Sequence, residues 1–196
     1  MKKIALIVLL IFIHSCSKKD ILINLEHEIS TKVGSFGGTK NEALYSVKET
    51  SDGGYITAGY SQSNDFDINF KTNESFDILV AKFSFDNTLK WRKTFGGSED
   101  DRAADIVQTL DGGFAVLGFS KSSDLNVSEN AGSQDFWLVK LSNNGTLLWE
   151  KSFGFSGADY GTTLLETEEG GFLITGVLDV SASNGQGNAR TTVVNH

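Results

Sequence analysis

Apolar residues along this chain fall into short runs, several alternating with a period of two, broken by acid-Gly-Gly turns. That is the pattern of β-strands and hairpins. First strands are expected at Leu44 to Thr50, Ala104 to Leu110 and Thr163 to Thr167. They run into Asp52-Gly53-Gly54, Asp111-Gly112-Gly113 and Glu169-Gly170-Gly171. Glycine supplies the positive φ that two-residue hairpin turns require, so each acid-Gly-Gly reads as a hairpin. The second strands, Tyr55 to Tyr60, Phe114 to Phe119 and Phe172 to Val177, are almost continuously apolar, which predicts burial on both faces. Small residues near their ends (Ala58-Gly59, Gly118, Gly176) predict the close approach of a neighbouring sheet. Third strands are expected at Ile78 to Phe83 and Phe136 to Leu141. After turns at Asp86-Asn87 and Asn143-Asn144-Gly145, the fourth alternates: Leu89, Trp91, Lys93 and Phe95 on one side, Lys90, Arg92 and Thr94 on the other. One face is packed and one is wet.

These strands belong to a repeat. Ser35-Phe36-Gly37-Gly38 recurs as Thr94-Phe95-Gly96-Gly97 and as Ser152-Phe153-Gly154-Phe155, at spacings of 59 and 58 residues. The same register carries Asp52 onto Asp111 and Glu169, Asp77-Ile78-Leu79-Val80 onto Asp135-Phe136-Trp137-Leu138, and Trp91 onto Trp149. Self-similarity at four landmarks in one register defines units 36–94, 95–152 and a partial 153–196. The fold class is therefore all-β: an incomplete β-propeller-like array of four-stranded antiparallel blades.

The ordering of FGG, DGGF, DFWLVKL, Asn-Gly, Trp and FGG resembles the delta-sixty class of bacterial β-propeller repeats, found in large secreted and surface proteins. The resemblance covers residues 30–196 and implies a fold more firmly than an activity. Some relatives of this repeat type carry endoglucanase labels, and the segment Phe136 to Trp149 is also similar to a bulb-type lectin strand pair. A leading strand at Ile29 to Phe36, two sets of four and two more give eleven strands. A closed propeller takes about 4–8 blades of four strands. The third unit should reach its Asp-aromatic strand near residue 193, but only Thr191-Thr192-Val193-Val194 precede His196. Eleven strands cannot close such a ring, so the chain is a truncated copy of a longer protein, an open arc, or one of several protomers that combine. Truncation is expected, since no unit resembles a polar cap.

The first residues carry a different pattern. Lys2 and Lys3 precede an unbroken apolar run from Ile4 to Ile13, too short for the roughly 20 residues a spanning helix needs. Residues 1–15 read as a signal peptide. Ile13-His14-Ser15-Cys16 resembles the lipobox of bacterial lipoproteins, which implies diacylation (palmitate among the acyl groups) of Cys16. Ile13 and His14 depart mildly from that motif, and a plain secretory signal with an incidental cysteine is the alternative. Residues 16–28 would be the lipidated tether, and residues 29–196 the repeat domain. Ser17, where an aspartate would resemble an inner-membrane retention signal, favours the outer membrane, with the domain periplasmic or surface-exposed. The expected partners are the membrane, through the lipid, and a glycan or surface protein.

Charge and residue usage then exclude several chemistries. Loss of Lys2 and Lys3 takes the formal charge from −8 to −10, so nucleic acid is not an expected partner. Cys16 is the only cysteine, and the three histidines are His14, His27 and His196. Neither a Ser-His-acid or Cys-His centre nor a zinc site has its residues. Carboxylates leave glycoside hydrolysis formally open. They recur with the repeat, however (Glu42, Asp101, Asp159; Asp52, Asp111, Glu169; Asp77, Asp135), which favours one structural job in every unit. No cofactor is expected, with calcium as the sole candidate. Asp65, Asp67 and Asn69, aligned with Asp124, Asn126 and Ser128, alternate oxygen-bearing side chains along one loop, as a calcium site would. The match is poor, since Phe70 stands where a turning glycine belongs and no glutamate closes the loop. A solvated loop with Asx turns is the simpler reading. Trp91 and Trp149 occupy one repeat position, which favours packing between blades over a sugar-binding groove. The remaining repeat positions, Asp52, Gly53, Gly54, Asp111, Gly112, Gly113, Gly170 and Gly171, are read as structural.

Overall fold

The structure, a computed structural model, describes residues 35–180 and 182 and the backbone of 192–194. The signal segment, Cys16, the tether, most of the leading strand Ile29 to Phe36, and the loop Ser183-Asn184-Gly185-Gln186 lie outside the described residues. Every described strand belongs to the unit formed by residues 37–196.

That unit is all-β. Its first sheet is β1 (Glu42–Glu49), β2 (Tyr55–Ser61), β3 (Asp77–Phe83) and β4 (Leu89–Phe95). The second is β5 (Asp101–Gln108), β6 (Phe114–Ser120), β7 (Asp135–Leu141) and β8 (Leu147–Phe153). The third is β9 (Tyr160–Glu166), β10 (Phe172–Val177) and β11 (Thr192–Val194). Strands lie side by side in chain order, and the strand pairs are antiparallel. Among the described residues no helix is long and apolar enough to cross a membrane. Among the described residues the strands number eleven, divided four, four and three, where the two expected in the last unit are joined by a third. Thr192–Val194 pairs with β10 through Phe172↔Val194 and Leu173↔Val193, as Leu141 and Lys140 pair with Phe114 and Ala115. It therefore takes the place of a third strand.

The middle sheet is buried on both faces. Ile106, Val116, Trp137 and Val139 pack with Ile56, Ala58, Ile78 and Val80 of the first sheet. On the other face Ala115, Leu117, Phe136 and Leu138 pack with Leu164, Phe172 and Ile174 of the third. Full burial of each large aliphatic side chain contributes about 2 kcal/mol. Continuous apolarity of β2 and β6 thus reflects two covered faces, whereas Thr175, Gly176 and Val177 of β10 are exposed. A single carboxylate ties the stack. Asp105 accepts from Ser46 Oγ of the first sheet at 2.7 Å and from the backbone N–H of Leu164 in the third at 3.1 Å.

Three local features recur and differ from the pattern expected of the sequence. The acid-Gly-Gly turns hold three residues rather than two: Thr50 N donates to Gly54 O at 2.9 Å and Gly53 N to Thr50 O at 2.8 Å, with Gly53 at φ 76°. This is a type I turn followed by a left-handed residue. The first strands start earlier than expected because each carries a bulge, with Tyr45, Ala104 and Thr162 left as the extra residue. Opposite each bulge stands a glycine. A Cβ on Gly59 would lie 1.8 Å from Ala43 O, on Gly118 1.9 Å from Arg102 O, and on Gly176 2.1 Å from Tyr160 O. The close approach comes chiefly from the neighbouring strand of the same sheet; at Gly176 the Phe136 ring of the second sheet adds to it.

Repeat length also varies in one place. The offset is 59 up to Ser61 and Ser120 and 58 from Asp77 and Asp135 onward, so the change falls in the loop between second and third strands.

Gly118→Ala is expected to destabilise the domain by about 2–3 kcal/mol through collision with Arg102 O. Gly112→Ala, where a Cβ meets nothing within 4 Å and only φ is adverse, should cost about 1 kcal/mol. Urea denaturation of the two variants side by side checks the order.

Candidate functional site

The recurring acids collect where the fourth strand of one sheet passes to the first strand of the next. Asp101, at the start of β5, is the fullest example. Its Oδ2 accepts from Gly97 N at 2.7 Å and from Ser122 Oγ at 2.8 Å, and its Oδ1 accepts from Ser120 Oγ. Glu42 does the same in the first unit, accepting from Gly38 N at 3.1 Å and Ser61 Oγ at 3.0 Å. Asp159 does so in the third, accepting from Phe155 N and Asp179 N, each at 2.6 Å. A carboxylate that receives several N–H and O–H groups at once fixes the loop backbone between sheets.

Asp77 and Asp135, the first residues of β3 and β7, are brought against these acids. A Cβ on Gly96 would lie 2.6 Å from Asp101 Oδ2 and 2.9 Å from Asp77 Oδ1; on Gly154, 2.3 Å from Asp135 Oδ1 and 2.8 Å from Asp159 Oδ2. Each glycine therefore leaves room for two converging carboxylates. Burial raises the Asp77 carboxyl to about 6, with the Asp101 charge adding to the rise and Lys71 opposing it. Burial likewise raises Asp101, and raises Asp135 with the Asp159 and Glu129 charges adding. Lys71 is buried with its ammonium 3.6 Å from Asp77 Oδ2, donating to Asn73 O, Asn73 Oδ1 and Ser75 O.

The residues proposed for calcium are engaged with backbone amides. Asp65 accepts from Thr39 N at 2.9 Å and Thr39 Oγ1 at 2.6 Å, and Asp67 from Gly37 N at 3.1 Å. Asp124 accepts from Ser98 N at 2.8 Å and Asn126 from Gly96 N at 3.3 Å. Asn69 follows the short 3-10 turn Phe66–Ile68, and Ser128 N donates to Glu150. Among the described residues no three His, Cys, Asp or Glu side chains gather as metal ligands. The same loops carry bulky residues with left-handed backbone, Phe66 at φ 45° and Leu125 at φ 56°, and these are 72% and 79% exposed. Such strain in a bulky residue points to a constrained loop.

At the opposite ends of the sheets, Asp52 accepts from Thr50 Oγ1, Gly54 N and Lys82 Nζ, and Asp111 from Thr109 Oγ1, Gly113 N and Lys140 Nζ. These hydrogen bonds hold both acids below the usual carboxylate range, Asp111 at about 2. Trp91 meets Phe114 at a centroid distance of 5.7 Å and Trp149 meets Phe172 at 6.0 Å, so both rings pack between sheets. Trp137 is fully buried and donates Nε1–H to Glu150 Oε2 at 2.7 Å.

Sequence reasoning missed Ser61, Ser63, Ser120 and Ser122, although Ser-x-Ser after the second strand recurs and was readable. It also missed Lys82 and Lys140, each a lone lysine in an apolar strand opposite an Asp-Gly-Gly turn. Lys71 and Asp105 carry no repeated signal. A raised carboxyl is one condition for a general acid. Asp77 is enclosed by Lys71, Asn73 and Ser75, and the acids around it serve backbone and serine donors. The geometry holds strands and loops together. No family model matches this chain, and no curated protein matches it.

A carboxyl raised in the folded state binds protons that the unfolded chain does not. Stability should therefore rise as pH falls from about 6 to about 4, by up to about 3 kcal/mol for Asp77. Below that window Asp52, Asp86 and Asp111, held low by their turn hydrogen bonds, take up protons and stability should fall. Thermal melts across this range should show a maximum on the acid side of neutrality, flattened in Asp77→Asn.

Proposed function

We propose that this chain is a lipid-anchored, propeller-type repeat protein of the cell envelope with a binding or structural role. The observation that carries the reading is the use made of its polar side chains. The recurring acids, the Ser-x-Ser pairs and the lysines of β3 and β7 secure turns and inter-sheet loops. Matching tryptophans fill the space between sheets, where a sugar groove would need them exposed. Stacked four-stranded sheets joined from last strand to first strand support a propeller arrangement. The lipobox-like Ile13-His14-Ser15-Cys16 supports attachment to the outer membrane with the repeat domain projecting from it. On that domain the constrained loops bearing exposed Phe66 and Leu125 offer the repeated contact surface suited to a protein partner.

Cells expressing the chain should incorporate labelled palmitate into it and retain it in the membrane fraction. Cys16→Ser should lose both. Absence of label from the unsubstituted chain would reject the anchor. The full chain should neither be retarded in gels containing soluble polysaccharides nor release reducing ends from them, and either effect would turn the reading toward a glycan-binding protein or glycosidase.

A further inference from the structure

The two full units treat the same buried aspartate differently. In the first, Asp77 has its own cation, the buried ammonium of Lys71 six residues before it. In the second, the residue six positions before Asp135 is Glu129. The aspartate is as deeply buried there, at 2% exposed, and its Oδ2 accepts from Ala131 N at 2.6 Å. Its Oδ1 has no hydrogen-bond partner among the described residues, and neither has Ser152 Oγ. Both side chains line a cavity of about 210 Å³, together with Glu129, Asn130, Ala131 and Gly154. Asp159 Oδ2 converges with Asp135 Oδ1 on the space that Gly154 leaves open.

Carboxylates brought together out of water, with one oxygen unpaired, are costly unless a positive charge joins them. The first unit answers that cost with a tethered ammonium. We infer that the cavity at Asp135 is a cation site, and that it takes a primary ammonium group, of a small amine or a lysine side chain, in the place Lys71 fills beside Asp77. Asp135 Oδ1 and Ser152 Oγ are the acceptors, and Glu129 at the exposed rim attracts the charge. An ammonium suits this arrangement better than a metal ion, because three hydrogen bonds can be met by oxygens that are not gathered into a coordination shell. The inference does not depend on the lipid anchor or on the propeller arrangement.

The test is the melting temperature of the full chain at neutral pH, titrated with methylammonium chloride and, at equal ionic strength, tetramethylammonium chloride, which cannot donate. Methylammonium should raise the melting temperature and tetramethylammonium should not. Nα-acetyl-lysine amide acting at lower concentration than methylammonium would assign the site to a protein side chain, and the reverse order to a free amine. Glu129→Lys supplies the tethered cation. It should melt about 3 °C above Glu129→Gln, which removes the rim charge alone, and should no longer respond to methylammonium. Glu129 is exposed, so both variants are expected to fold. Equal responses to the two salts, or Glu129→Lys melting no higher than Glu129→Gln, would overturn the inference. A rise with calcium chloride where methylammonium has no effect would overturn the ammonium assignment in favour of a metal.

Discussion

Everything in this domain depends on a sheet that has no wet face. β5 to β8 bury apolar side chains on both sides, so the second unit has no stable existence without neighbours to cover it. A four-stranded sheet in isolation would expose Trp137, Val116 and Val139 on one side and Leu117, Leu138 and Phe136 on the other. Repetition of the sequence is therefore a thermodynamic requirement as well as a record of duplication.

Stacking greasy faces would by itself leave the sheets free to slide, and polar contacts remove that freedom. Asp105 reaches both neighbouring sheets with one carboxylate. Ser51 N donates to Gln108 Oε1 and Leu110 N to Glu166 Oε2, so the turn ends are pinned by the same device in successive sheets. The acids beside the Gly-Gly loops pin the other end. Among the described residues the buried acids Asp77, Asp101 and Asp159 belong to this second row, and the cavity at Asp135 is where one of its members keeps an unpaired oxygen.

Strand order was legible because it rests on a period, either two residues or one repeat, and the same period marks the positions of Trp91, Trp149 and the recurring acids. Bulges were not legible. An extra residue such as Ala104 breaks alternation, so the first half of β5 reads as irregular even though it is paired. The turn size was misjudged for a related reason: Gly112 takes the left-handed position after a type I turn, and sequence shows the glycine but not the carbonyl to which its N–H returns. The hydrogen-bond partners of the oxygen-rich loops were not legible, because sequence lists acceptors without their donors. Thr39, Gly37 and Ser98, which supply those donors, lie about 26–30 residues away along the chain. The contrast between Lys71 and Glu129 was visible in the letters, but nothing marked it until both residues were found beside a buried aspartate.

Copies of this unit agree in length everywhere except between their second and third strands. Strands, hairpins and inter-sheet joints are each held by contacts that an inserted residue would break, and so is the first half of this loop, through Asp65, Asp67, Asp124 and Asn126. Its second half, after Asn69 and Ser128, differs by a residue without disturbing the ladder on either side. It is the natural graft point of the architecture. Foreign peptides introduced there would be displayed from a rigid frame, and divergence among related arrays would be expected to accumulate in that span first.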